Sequence, residues 1–194
     1  MANLNINPKK FMPNLIHVLS PYVDKESAVV NSIVEINSKS INKYELITET
    51  GHLKLDRVGY SSLYYPFVYG AIPMTLDEDN DPLDIMIVNV TEPLVPGSVA
   101  EARVIGILKF NDGGETDDKI IAVLNDDKRV DHINSIDDLG DHFKKETAYY
   151  WEHYKDLKKP GTCKVEGFFD VSVAIQTIDS CISRYDEKIK PQVE

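Results

Sequence analysis

The chain has 194 residues, 42% hydrophobic and 27% charged, which suits one soluble globular domain with a real core. Its formal net charge of −11 is the wrong sign for a nucleic-acid or anionic-membrane surface, each of which needs a positive footprint. Cys163 and Cys181 are the only cysteines and form no CxxC pair, so they read as buried small residues in a reducing compartment, not as a zinc site or a disulfide framework.

Residues 1–28 are broken by Pro8, Pro13 and Pro21 and read as an extension packing on one domain that runs from 29 to 194. No apolar run follows Lys9-Lys10 and none elsewhere approaches a membrane span, so a cytoplasmic protein is expected. Asn14 to Leu19 can form a short helix, with His17 a packing or surface residue. Val29-Val30, Ser32 to Ile36, Asn42 to Ile47 and Leu53 to Val58 then make a meander of short strands, turned at 37–40 and at Thr50-Gly51. Alternation puts Lys43 and Glu45 on one strand face, with Arg57 on the next strand close enough to join them. Taken singly these are solvent-facing strand residues. Tyr64, Tyr65 and Phe67 follow in a Pro- and Gly-broken segment and read as aromatic core.

From Asp77 to Asp84 five carboxylates occur in eight residues, directly ahead of the apolar run Ile85-Met86-Ile87-Val88, which reads as a buried strand. Pro82 has no N–H and a fixed φ, so the acidic residues form a bent loop in which Asp79, Asp81 and Asp84 can converge. Carboxylates about 4–6 Å apart raise one another's pKa unless a cation intervenes, and hard divalent ions, Mg2+ above all, suit an all-oxygen cluster. The plain alternative is a solvated acidic turn. An EF-hand is excluded: its sixth position, which needs Gly, is Pro82, and its twelfth, which needs Glu, is Val88.

After a turn cluster at Pro93, Pro96 and Gly97, Val99 to Leu108 reads as a long strand, with Glu101 and Arg103 a solvated pair. Asn111 to Lys119 is a hairpin tip turned by Gly113-Gly114, and Ile120 to Leu124 returns as a buried strand. The last third reads as helical. Ser135 with Asp138 makes a capping box, Phe143, Thr147, Tyr150 and Tyr154 share one helix face, and an apolar stripe from Val171 to Tyr185 marks a second helix starting near Asp170. Lys155 can serve as a cation at the first helix's C-terminal end. His132, His142 and His153 have no ligand spacing.

The run D-N-D-P-L-D (79–84) resembles the signature of the soluble family I inorganic pyrophosphatases, and other parts agree in order. Tyr65-Pro66-Phe67-Val68-Tyr69-Gly70 is similar to the family's Y-P-x-x-Y-G; Asp112, Asp117 and Lys119 match D-x4-D-x-K; Tyr154-Lys155 and Val165-Glu166-Gly167 are further landmarks. Glu35, Lys43, Glu45 and Arg57 stand where the family has an acid, a lysine, an acid and an arginine. The resemblance runs from about Val29 to Tyr185. It implies an α+β, mainly β fold: a small twisted OB-like β-barrel with two principal helices packed outside. It implies Mg2+-dependent hydrolysis of pyrophosphate to two orthophosphates, by in-line attack of a metal-bound hydroxide, with several Mg2+ ions per site and Mn2+ or Zn2+ as substitutes.

In that scheme Asp79, Asp84 and Asp117 hold the principal metals, and Asp112 and Glu35 hold metals that arrive with substrate. Asp81 is the general base. Lys43, Glu45, Arg57, Tyr69, Lys119, Tyr154 and Lys155 form the substrate-binding set. Relatives are commonly hexamers, which makes a homohexamer the expectation, with His153 at a subunit contact. One departure stands out: Gly161 occupies a position where some relatives carry a further lysine. Two other classes compete. A non-catalytic divalent-metal-binding module would keep the acidic loops but has no use for Lys43, Arg57 and Lys155; an OB-like oligonucleotide binder conflicts with the charge.

Overall fold

The structure, a computed structural model, describes residues 14–193; the part of the expected extension before Asn14 lies outside them. Alternating apolar residues make strands whose two faces are both covered. Asp84–Ile87 (β6) and Lys119–Leu124 (β9) lie parallel, with Asp84 opposite Lys119 in the register. Val29–Ile36 (β2), Val68–Ala71 (β5) and Val99–Asp112 (β7) pair antiparallel with their neighbours. Among the described residues the pairings β2–β5–β6–β9–β7 and back to β2 close a five-stranded ring. This is the OB-like barrel, and closure removes the sheet edges that would otherwise be exposed.

β7 makes closure possible by its length. Residues 99–103 pair with β2, residues 102–108 with β9, and residues 107–112 with Cys163–Phe169 (β10). Tyr22–Asp24 (β1) adds to β2, and Glu115–Thr116 (β8) closes the tip of the β7 hairpin. Asn42–Ile47 (β3) and His52–Val58 (β4) form a separate hairpin, pairing Lys43 with Arg57. The short helix Leu15–Val18 (α1), capped by Asn14, tucks Ile16 against Ile33 and Ala71.

Strand periodicity sorts the core into two clusters, one per sheet face. Ile85, Ile87, Ile107, Ile120 and Ala122 pack with Ala174, Ile178 and Cys181 of Val171–Lys188 (α3). Residues of opposite parity, Met86, Val88, Leu108, Ile121 and Val123, pack with Tyr150 and Trp151 of Gly140–His153 (α2). Each buried aliphatic or aromatic side chain contributes about 1.5–3 kcal/mol, so both helices are held by sheet faces and not by local propensity. Asp170 caps α3 by accepting from the Val173 N–H at 3.2 Å. The Ser135–Asp138 box is present, but it opens a 3-10 turn at Ile136–Leu139 that leads into α2.

Four details differ from the sequence reading. The last third is not all helical: β10 extends the sheet beside β7, and its alternation is interrupted by a register shift between Val165 and Gly167. β7 runs on to Asp112, beyond the expected end at Leu108. Tyr64 is not core but 53% exposed. Arg103 does not pair with Glu101; its guanidinium donates to the carbonyls of Ile133 (2.7 Å) and Val130 (3.3 Å), pinning the 130–134 segment to the barrel. Cys163 and Cys181 are buried free thiols, and no helix among the described residues is long and apolar enough to cross a membrane.

Candidate active site

The acidic loop is shaped by its own backbone. The Asp77 N–H donates to the Asp81 carbonyl (2.7 Å), the Asn80 N–H to the Asp77 carbonyl (3.2 Å) and the Asp81 N–H to Asp79 Oδ1 (3.0 Å). Asn80 sits at φ 73°, a left-handed conformation that Asn tolerates better than most residues. Pro82 ends the turn, and Leu83 re-enters the core with its N–H on Thr75 Oγ1 (2.9 Å). Arg184 of α3 braces the loop from behind, donating to the Leu76 carbonyl (2.8 Å) and to Asp77 Oδ1 (2.9 Å). Asp77 and Glu78 therefore face α3, whereas Asp79, Asp81 and Asp84 line a hollow on the other side.

That hollow has a volume of about 120 Å3. Asp112 and Asp117, from the β7 hairpin tip, line it together with the three aspartates of the acidic loop. Glu35 comes from β2, Lys43 and Glu45 from β3, Tyr69 from β5, and Tyr154 and Lys155 from the end of α2. Gly70 has a steric reason to follow Tyr69. A Cβ there would stand 2.2 Å from the Ile33 carbonyl oxygen, so only glycine lets β5 lie against β2 with Tyr69 in place. Tyr65 and Trp151 complete the wall. Tyr65 was expected only as core; it is buried, yet it lies on the wall, and its spacing in Y-P-x-x-Y-G was the available signal.

Ammonium groups clasp the carboxylates. Lys119 binds both Asp84 and Asp117, Lys155 binds Asp112, and Lys43 binds Glu45. The Tyr69 hydroxyl donates to Asp84, and the Leu46 N–H donates to Glu35 at 2.7 Å. Two residues of the expected substrate-binding set do not line this hollow. Lys119 is 1% exposed and lies behind the wall, locked between Asp84 and Asp117. Arg57 lies in an adjoining hollow with Tyr60, Lys155, Lys158 and Lys159, its guanidinium donating to Asp56 at 2.6 Å. The other expected residues all line the acidic hollow. Gly161 takes φ +68°, a turn geometry that a lysine would adopt only with strain.

The electrostatics follow from burial of like charges. Burial, then the Asp84 charge, pushes Glu35 up to about 8, against the Leu46 N–H and Lys43. Burial, with the Asp117 charge adding to it and Lys119 opposing it, pushes Asp84 to about 7. Burial raises Asp79 to about 6, and burial with the Glu45 charge raises Asp81. Asp112 goes the other way: burial is the largest single influence and raises it, but the hydrogen bond and charge of Lys155, with Cys163 and Lys119, together outweigh burial and lower it. Burial also keeps the Tyr69 and Tyr154 hydroxyls protonated far above the ordinary tyrosine range.

As placed, no group of three or more Asp, Glu, His or Cys side chains among the described residues grips a single ion point. The chemistry of the donor set nevertheless fits a hard divalent cation. Among the described residues that line the hollow, seven are carboxylates and two are lysines, with Lys119 the one further ammonium behind. Acids in that excess, several with raised pKa, are stabilised by added positive charge, and oxygen-only donors favour Mg2+-like ions over soft metals.

A closed barrel that gathers aspartates from two separate turns opposite lysines and tyrosine hydroxyls defines a metal-assisted phosphoryl-transfer enzyme. The inorganic pyrophosphatase family matches residues 32–186. The inorganic pyrophosphatase of Geobacillus stearothermophilus is 44% identical over 163 residues, covering 84% of this chain and 98% of that protein. That of Thermus thermophilus is 42% identical over 167 residues, covering 85% and 95%. The crystal structure of an inorganic pyrophosphatase from Neisseria gonorrhoeae superposes with a TM-score of 0.84 at 38% identity, covering 89% of this chain and 99% of that one. The chain belongs to the inorganic pyrophosphatase family, and membership carries with it a divalent-metal cofactor.

Proposed function

We propose that this chain is a Mg2+-dependent inorganic diphosphatase that hydrolyses pyrophosphate to two orthophosphates by direct, in-line attack of water on phosphorus. The observation that carries the reading is the meeting of carboxylates from two distant turns, 79–84 and 112–117, in one hollow that also receives Lys43, Lys155 and Tyr154. Asp79, Asp84 and Asp117 would hold the principal metals, and Asp112 and Glu35 those that enter with substrate. When bound, such ions neutralise phosphate charge and lower the pKa of water from 15.7 to about 7.

The chain's own groups do the rest. Asp81 accepts the proton of the attacking water, the role of a general base; in the metal-free chain burial and the Glu45 charge raise its pKa. Lys43, Lys155 and the protonated Tyr154 offer donors to the leaving phosphate, which suits a loose transition state stabilised by placement and charge. Tyr69 orients Asp84 by its hydrogen bond. Lys119 acts through Asp84 and Asp117, and Glu45 through Lys43. Arg57 presents a planar fork to the outer end of the substrate.

The test is phosphate release from pyrophosphate with Mg2+, with chelator, and in Asp81→Asn. Release should require metal, and the variant should lose about 10²–10⁴-fold in kcat while still binding Mg2+. Metal binding by the wild type without turnover would replace this reading with a metal-binding module. Replacing Mg2+ by Mn2+ or Zn2+ measures metal preference. By family analogy the working form is a cytoplasmic homohexamer, with residues 1–28 an extension of the single domain 29–194; light scattering in solution measures the assembly.

A further inference from the structure

The β3–β4 hairpin carries Lys43 and Glu45 to the acidic hollow, yet its strands pair only with each other and not with the barrel among the described residues. Among those residues, three hydrogen bonds tie 42–58 to segments beyond the hairpin's own flanks. One runs from the Leu46 N–H to Glu35 at 2.7 Å. The other two end on a single acceptor at the turn, the Thr48 carbonyl, which receives Asn14 Nδ2 at 2.6 Å and His17 Nε2 at 2.9 Å. A carbonyl only accepts, so Nε2 carries the ring hydrogen, and in the neutral ring Nδ1 accepts from the Tyr185 hydroxyl at 2.8 Å. His17 thus spans from α3 to the hairpin turn. Its helix, α1, is itself fixed: the Ile16 carbonyl accepts from the Met74 N–H at 2.8 Å, and Ile16 packs with Ile33 and Ala71 of the barrel and with Leu46 of the hairpin. A Cβ on Gly51 would stand 2.6 Å from Asn14 Oδ1, so the turn lies directly on the cap of α1.

We propose that His17 is a positioning residue for the substrate site: with Asn14 it clamps the hairpin turn against the body of the protein and so seats Lys43 and Glu45 opposite the aspartates. His17 does not line the acidic hollow, and three residues of strand, about 10 Å, separate Thr48 from Glu45, so its action passes through the hairpin. A hairpin released at its turn spends part of its time away from the barrel. Substrate binding across hairpin and barrel selects the seated form, so apparent affinity falls in proportion to the seated fraction, while the bound complex, once formed, reacts as before. The identity of the substrate rests on the pyrophosphatase reading; the clamp does not.

The experiment compares the full-length wild type with His17→Leu, which keeps bulk without a donor, and His17→Gln, whose amide nitrogen stands the same number of bonds from Cα as Nε2. Asn14→Asp, which keeps the cap acceptor for the Ile16 N–H but removes the donor to Thr48, is the second disrupting variant should His17→Leu fail to fold. Two quantities are read: amide hydrogen exchange of residues 42–58 against that of β6 and β9, and KM and kcat for pyrophosphate with Mg2+. Loss of the clamp should speed exchange in 42–58 alone and raise KM about three- to tenfold with kcat within about twofold, and His17→Gln should restore both. Unchanged exchange in 42–58, exchange that rises equally in the barrel strands, or faster exchange in 42–58 with KM unchanged each overturns the proposal. Should the wild type bind pyrophosphate without turnover, the hydrolase reading fails by itself, and the same comparison is made on the Kd for pyrophosphate, where an unchanged Kd in His17→Leu overturns the clamp.

Discussion

Lys119→Met keeps the stem of a 1%-exposed side chain and removes an ammonium held between Asp84 and Asp117. Burial alone would depress the lysine's pKa, but the two carboxylate charges outweigh it and hold it above the ordinary value. The ammonium is therefore charged, and the variant leaves two acids facing each other in a buried place. Breaking a buried pair from one side costs about 3–5 kcal/mol. At roughly 2–4 °C per kcal/mol for a chain of this size, the metal-free variant should melt about 6–20 °C below wild type. Protonation of Asp84, whose pKa is already raised to about 7, relieves part of the loss, so the gap should widen from pH 6 to pH 8. Added Mg2+ should narrow it, since a bound cation supplies the charge that the lysine supplied, and saturation at a hundredfold over Kd adds about 2.7 kcal/mol. Calorimetric melts with chelator and with Mg2+ decide the matter. A variant that melts within about 2 °C of wild type in chelator, or a gap that Mg2+ leaves unchanged, refutes the account of Lys119 as the counter-charge of the carboxylate cluster.

Other outcomes follow from the same geometry. Glu35, Asp84 and Asp79 have folded-state pKa values of about 8, 7 and 6, all above their unfolded values, so the folded chain binds more protons than the unfolded one in that window. Their stabilising contribution is complete below about pH 4 and is lost as pH rises through 6 to 8; metal-free melts should fall in temperature across that window, and saturating Mg2+ should flatten the trend. Arg57→Lys retains charge but loses the fork, and should lower kcat/KM for pyrophosphate about tenfold in steady-state assays. Arg184→Ala removes the brace behind the acidic loop and strands the buried Asp77, and should cost about 3–5 kcal/mol in denaturant unfolding while weakening Mg2+ binding.

The strands were readable wherever period-two alternation met a clear turn. Asn42–Ile47 has the expected bounds, and Ile85 to Val88 is displaced by one residue because Asp84 already pairs with Ala71 and Lys119. β10 was missed because C-K-V-E-G-F-F alternates only up to a bulge; its partner β7 lies about fifty residues earlier, and such pairing leaves no local trace. The bent acidic loop by itself suggested that Asp79, Asp81 and Asp84 converge, whereas Asp112 and Asp117 read as a solvated hairpin tip until the family resemblance singled them out; all five line one hollow. What spacing could not give is which side of a wall a side chain occupies. Lys119 and Asp117 are two residues apart on one edge, yet only Asp117 reaches the hollow. Arg57 pairs with Lys43 across the β3–β4 hairpin, yet the two open into different hollows. Asp77 and Glu78 looked equivalent to their neighbours until Arg184 turned them toward α3.

A net charge of −11 repels an anionic substrate on average, but mean charge matters only over distances that salt does not screen. From about 0.01 M to about 0.15 M ionic strength the Debye length contracts from about 30 Å to about 8 Å. At the lower value an approaching anion feels most of the acids on the chain; at the higher it feels mainly the groups at the cleft mouth, where Arg57, Lys155, Lys158 and Lys159 are gathered. Screening therefore weakens two opposed terms. If distant repulsion dominates the approach, kcat/KM for pyrophosphate rises with salt; if the cationic rim dominates, it falls. The rim cations adjoin the acidic hollow through Lys155, and with Mg2+ offsetting that hollow's carboxylates their short-range attraction exceeds repulsion from charges spread over the whole surface. The expected outcome at fixed free Mg2+ is a fall with added KCl that becomes shallower in Lys158→Glu. A rise with salt in the wild type would mean that the substrate enters by a route on which these cations play no part.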